Sequence, residues 1–165
     1  MKKSIILLLI IGILSSISVC YAAKHEPNLV AVDGGMGTVI YADKNTVEVL
    51  EYNPPYYTIK INYIRADYNY NPPKFKNIGT IIVRYNWDEK NKIEYKINSK
   101  DWAEWDVTKS HDHASGNPLI PLSAETAFMT AYNMKFFGDS LCQPPNRSVS
   151  KDYLDKFYRE ELGVY

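Results

Sequence analysis

Apolar residues recur at every second position in three stretches, and that period fixes what kind of element this chain can build. In Tyr56–Tyr68, Tyr57, Ile59, Ile61 and Tyr63 share one side, while Thr58, Lys60 and Asn62 take the other. In Thr80–Trp87, Ile81, Val83, Tyr85 and Trp87 oppose Ile82, Arg84 and Asn86. In Lys92–Ile97, Ile93, Tyr95 and Ile97 oppose Glu94 and Lys96. Successive side chains of a strand point to opposite faces, so each stretch reads as a strand with one dry and one wet face. A wet face indicates an antiparallel sheet, because parallel sheets are covered on both sides. The polar turn Asp88–Asn91 makes a hairpin of the last two strands.

Two shorter strands are expected at 29–33 and 37–42, with Gly34, Gly35 and Gly37 letting the chain turn between them. Thr46–Leu50 suits a strand or a short helical turn. The sequence Tyr-Asn-Pro-Pro occurs twice, at 52–55 and 70–73, on either side of the longest strand. Proline fixes φ and removes a ladder donor, so both copies read as strand punctuation rather than a ligand motif. The strand between them would run to roughly 43 Å, beyond the common range. A bend, a bulge or a hairpin tip projecting past the core is therefore expected.

Residues 106–122 carry no period. Ser123 then suits a helix N-cap, with Glu125 in the first turn favourable to the helix dipole. Ala124, Ala127, Phe128, Ala131, Tyr132 and Phe136 recur at helical spacing, and Gly138 offers a stop. A second helix from about Ser150 to Leu162 carries Tyr153, Leu154, Phe157 and Tyr158 as its apolar stripe; whether it docks is left open. The fold expected is α+β: a single antiparallel sheet of five or six strands, a C-terminal helix over 123–137 packed on one face, and a second short terminal helix.

The N-terminus has a different character. Lys2 and Lys3 precede an apolar run from Ile5 to Leu14, then serines, then Ala22 and Ala23. That order reads as a bacterial secretory signal peptide over 1–22, cleaved after Ala22 or Ala23. The run is short for a spanning helix, so no stable transmembrane span is expected after cleavage. Val19 before Cys20 does not suit a lipid-attachment site. The single exported domain, 23–165, would have about 142 residues, enough to bury a core without disulfides. Cys142 would be left alone in it, read as buried or idle. Loss of Lys2 and Lys3 takes the net charge from zero to −2, so no basic footprint invites nucleic acid.

No catalytic motif is found. Gly34-Gly35-Met36-Gly37 lacks the spacing of a nucleotide-binding loop, and no nucleophile elbow is present. No cofactor is called for. His111 and His113, in His-Asp-His, are the candidate metal ligands, with His25 as a further histidine; a surface histidine pair is the simpler reading. Trp102 and Trp105 flank Glu104 and suit either stacking on a partner or closing the edge of the core. Tyr52, Tyr56, Tyr68 and Tyr70 fall where strand ends meet loops, and tyrosine gives large contact area at low entropic cost. These six aromatic residues are the partner-binding candidates.

Several stretches together resemble the surface-adhesin protein E family of Gram-negative bacteria. They are the opening strand Leu29–Val32, GTVIYADKNTVEV (Gly37–Val49), YYTIKINYIRADY (Tyr56–Tyr68), IGTIIVRYNWD (Ile78–Asp88), and a helix like 124–137. The resemblance covers about half of the exported chain. It implies a small exported antiparallel domain, in some members lodged in the outer membrane, and an adhesin that binds host matrix and haem. This chain lacks the family's lipid-attachment Cys and a Cys pair in the sheet, and no binding residue carries over. The function expected is a non-enzymatic exported binding or adhesin-like domain at the bacterial cell envelope, periplasmic or surface-exposed, engaging a protein or glycan. The alternatives are a periplasmic metal-binding protein or hydrolase centred on His111 and His113, or a structural envelope protein that self-associates.

Overall fold

The structure, a computed structural model, describes residues 26–98, 100–109, 118–143 and 149–164. Six strands form one antiparallel sheet in simple chain order: β1 (Leu29–Gly35), β2 (Thr38–Asn53), β3 (Tyr56–Asp67), β4 (Lys74–Asn86), β5 (Lys92–Ile97) and β6 (Ala103–Asp106). The architecture is α+β, as the period-two segments indicate. Register carries the sequence pattern across the sheet. Tyr57, Tyr85, Ile93 and Trp105 are successive cross-strand partners, and so are Ile61, Ile81 and Ile97. Apart from the half-buried Ile97, these side chains are buried and belong to one hydrophobic cluster. The alternate row, Thr58, Arg84, Glu94 and Glu104, lines up in the same way on the opposite face.

The strand expected to be longest, β3, meets its irregularity opposite Ile78 of β4, while β2 carries two that the sequence did not announce. β2 runs unbroken through the 46–50 segment as strand, with register shifts between Asp43 and Glu48 and between Val49 and Glu51. β4 starts at Lys74, well before the segment legible by alternation. The reason is a shift opposite Tyr63 and Ile64, which leaves Ile78 outside the ladder and breaks the period of two. Only Ile81–Tyr85 of β4 pairs with β5, so the 64–77 end of the β3–β4 hairpin extends beyond β5. Met36 and Gly37 both have positive φ, 51° and 77°, the conformation that a type I′ hairpin turn requires. Both Tyr-Asn-Pro-Pro copies lie at turns, one between β2 and β3 and one between β3 and β4, in line with punctuation.

The helices differ in detail from the sequence reading. The first, α1, runs Leu119–Tyr132 and not 123–137. Pro118 is its N-cap and Pro121 sits in its first turn, where a missing N–H breaks no intrahelical bond. Ser123 is therefore a buried helical residue and not a cap. Asn133, with φ 54°, is the left-handed cap in place of Gly138, and its N–H donates to Met129 O. A 3-10 turn follows at Gly138–Leu141. Helix α2 (Lys151–Lys156) continues as a π-helical turn, Phe157–Glu161. Ser150 caps it, its Oγ accepting from Tyr153 N at 3.2 Å.

This terminal segment is docked. Leu154, Phe157 and Tyr158 are buried, while Tyr153 of the expected stripe remains 42% exposed. Ala31 N donates to Glu161 Oε2 at 3.2 Å, tying the C-terminal turn to edge strand β1. Helix α1 meets residues of β3 and β4: Tyr85 Oη donates to Ala124 O at 2.9 Å, and the Phe128 ring lies 4.9 Å from Tyr85 and 5.5 Å from Tyr57.

Candidate functional site

The four tyrosines form two groups at opposite ends of β3, roughly 40 Å apart by strand rise. At one end Tyr52 and Tyr56 flank the β2–β3 turn and are 67% and 54% exposed. Tyr52 touches the rings of Tyr57 and Tyr132 at 5.7 and 6.0 Å, and Val49 and Leu50 beside it are also exposed. At the other end Tyr70 is exposed, with Lys74 Nζ 3.6 Å over its ring, and Phe75 is exposed on the following strand. Tyr68 is half-buried, its hydroxyl bonded to that of Tyr41 at 2.8 Å. Burial first, then Tyr68, pushes the Tyr41 hydroxyl well above the usual tyrosine range.

The two tryptophans part company. Trp105 is buried against Phe137, at 5.1 Å between centroids, so it belongs to the core and leaves the set of surface candidates. The wet face holds Trp102 half-buried, with the Arg84 guanidinium 3.9 Å and Lys96 Nζ 4.9 Å from its ring. His25, His111 and His113 lie outside the described residues, as does the segment proposed as a signal peptide. Among the described residues no cluster of three or more His, Cys, Asp or Glu side chains is gathered as metal ligands, and no helix is long and apolar enough to cross a membrane. Cys142 is half-buried, its Sγ donating to Asp139 O at 3.2 Å.

A concavity lies on the wet face of the sheet and was not foreseen. It is an open groove of about 420 Å³, with Glu51, Tyr56, Thr58, Arg84, Glu94 and Glu104 among its walls. Asn86, Glu89 and Lys92 complete its polar lining. Its carboxylates are held. Glu94 pairs with Arg84 at 3.5 Å, Glu89 with Lys92 at 2.9 Å and Glu104 with Lys109 at 2.6 Å; Glu51 accepts from Thr58 Oγ1 at 2.9 Å. The hydrogen bond to Glu89 raises Lys92, and that to Glu104 raises Lys109. Burial works to raise the Asp106 carboxyl at the end of β6. The Thr108 hydroxyl and amide, with Lys109, outweigh it and hold Asp106 below its usual value. The sequence marks these residues only as the polar half of each alternation; their convergence comes from the register of four strands.

A second polar centre is internal. Glu125, 0% exposed, accepts from Tyr158 Oη at 2.6 Å, Phe137 N at 2.8 Å and Phe136 N at 3.1 Å. Burial raises its pKa in spite of these donors. It joins α1 to the chain after it and to the terminal segment, a structural role in place of the N-terminal dipole role that the sequence suggested. No protein-family model, curated protein or solved structure matches this chain.

Proposed function

We propose that this chain is a non-enzymatic binding module exported to the bacterial cell envelope, where it engages a protein or glycan through the aromatic ends of its hairpins. The observation that carries this reading is the exposure of large rings at both ends: 67% for Tyr52 and 49% for Tyr70. Rings held on strand ends lose little entropy when a partner covers them, and aromatic anchors carry a large share of binding energy at interfaces. The signal-like N-terminus supports export, and the resemblance to the protein E adhesins supports a place at the periplasm or cell surface. In this reading α1 is seated on the dry face of the sheet. The Tyr85–Ala124 hydrogen bond and the Phe128 ring contacts support that seating.

Protease shaving of intact cells, with mass measurement of the mature chain, tests location. Cleavage on living cells is expected for a surface protein, and protection until the outer envelope is broken for a periplasmic one. Replacing Tyr52, Tyr56 and Tyr70 by Ala is expected to weaken partner binding at least about tenfold, the scale of interface hot spots. Unchanged binding would remove the tyrosine surface. Loss of bound metal or of a hydrolytic activity on replacing His111 and His113 would replace this reading with the metal-centred one.

A further inference from the structure

We propose that the groove on the wet face of the sheet binds a neutral oligosaccharide. The inference rests on the binding-module reading above and names the chemistry of one ligand class. Three observations lead to it.

The first is spacing. Thr58, Arg84, Glu94 and Glu104 stand in one cross-strand row on β3, β4, β5 and β6. Neighbouring strands lie about 4.8 Å apart, so hydrogen-bonding groups recur at close to the advance of one pyranose ring along a glycan chain. At about 420 Å³ the groove falls within the range of about 300–1,000 Å³ for small-molecule sites.

The second is charge. Glu51, Glu89, Glu94 and Glu104 exceed the two lining cations, Arg84 and Lys92, by two, which disfavours an anionic ligand. Yet each carboxylate already has a cation or a hydroxyl against it, so a cationic ligand would have to displace existing partners. What the array offers without rearrangement is its remaining acceptor lone pairs and guanidinium donors, the complement of an uncharged chain of hydroxyls.

The third is rigidity beside an open ring. Arg84 is fixed between Glu94 and the face of Trp102, so its planar fork is pre-organised. Tyr56, 54% exposed and facing Asn86 across the β3–β4 pair, gives the rim an aromatic surface on which the C–H face of a sugar can lie. A protein hot spot would need a fully desolvated apolar pocket, and this one is open and polar.

The test uses the whole exported chain on an array of neutral tri- to hexasaccharides built from glucose, galactose and N-acetylglucosamine. Triacetylchitotriose is compared in solution with its deacetylated, cationic form and with a sialylated trisaccharide, followed by backbone amide shifts. The expected result is binding of one or more neutral members, with shifts centred on Thr58, Arg84 and Glu94. That affinity should fall about tenfold or more in Glu94→Gln and in Arg84→Ala, as expected for a lost charge-assisted hydrogen bond. Both variants should keep the wild-type melting curve, and Lys151→Ala, on helix α2 and outside the groove, should bind glycan normally. No saccharide shifting the groove amides, or the cationic form alone doing so, would overturn the proposal. If groove variants bind cells normally while tyrosine variants do not, the glycan inference fails and the binding module stands; a chain that binds neither cells nor glycans removes both.

Discussion

Gly79 has no room for a side chain. A Cβ there would lie 2.6 Å from Asn98 Oδ1 and 2.7 Å from Tyr63 Oη, and Asn98 is itself committed to Thr80 N at 2.9 Å. Gly79→Ala is expected to destabilise the protein by about 1–3 kcal/mol through overpacking. Urea unfolding would show it as a lower midpoint at unchanged slope. Glu125 poses the opposite problem, since removing it strands three donors. Glu125→Ala is expected to cost about 3 kcal/mol or more, given the cost of each buried unsatisfied group. Its pH effect has a defined sign. Burial raises the folded pKa above the ordinary 4.5, so the folded state binds the proton more tightly than the unfolded chain. Stability from this group is complete below pH 4.5 and declines as pH rises from there to the folded pKa. The melting temperature of wild type minus that of Glu125→Gln should accordingly fall as pH rises from 4 to 7; a flat difference would contradict the assignment.

At the scale of elements, alternation is a strong signal only while the ladder is regular. The core of β3, the second half of β4 and all of β5 were legible from Tyr57–Tyr63, Ile81–Tyr85 and Ile93–Ile97, because each side chain keeps its face. The first half of β4 was not, since Ile78 falls out of register and everything before it changes face. β6 has four residues, too few for a period to emerge, and Trp105 alone of its side chains declares the dry face by its size. Helix α1 was found but placed late, because Pro118 and Pro121 look like loop residues until Pro121 is seen in the first turn, where no hydrogen bond is lost. Its true end can be tested. Asn133 holds φ 54°, so Asn133→Ala should cost about 1–2 kcal/mol while Asn133→Gly should be tolerated, read by thermal unfolding. The groove was illegible for a different reason. Glu51 and Glu104 are more than fifty positions apart, and nothing local marks that they will share a wall.

For the molecule as a whole, sheet order equals chain order, so every strand finds its partner through a hairpin with its neighbour. Such pairings close short loops, which makes the sheet kinetically accessible before the helices arrive. The contact between Ala31 and Glu161 is of another kind, spanning 130 positions. It covers part of the outer side of β1, a row of backbone groups that would otherwise be a template for another chain. Deleting residues 150–165 should therefore leave the hairpins able to form but expose β1 and the partners of Tyr158. The expected outcome is a lower melting temperature together with concentration-dependent aggregation, measured by light scattering; a monomeric, equally stable fragment would refute it. The same contact sets an order in time. A chain made from its N-terminus presents Ala31 130 positions before Glu161, so the first strand waits uncovered while the intervening residues are added. Any delay in delivering the final turn would lengthen the interval in which two emerging copies can capture each other. The seal on this sheet thus makes the pace of synthesis, as well as folding, a determinant of how much protein remains single.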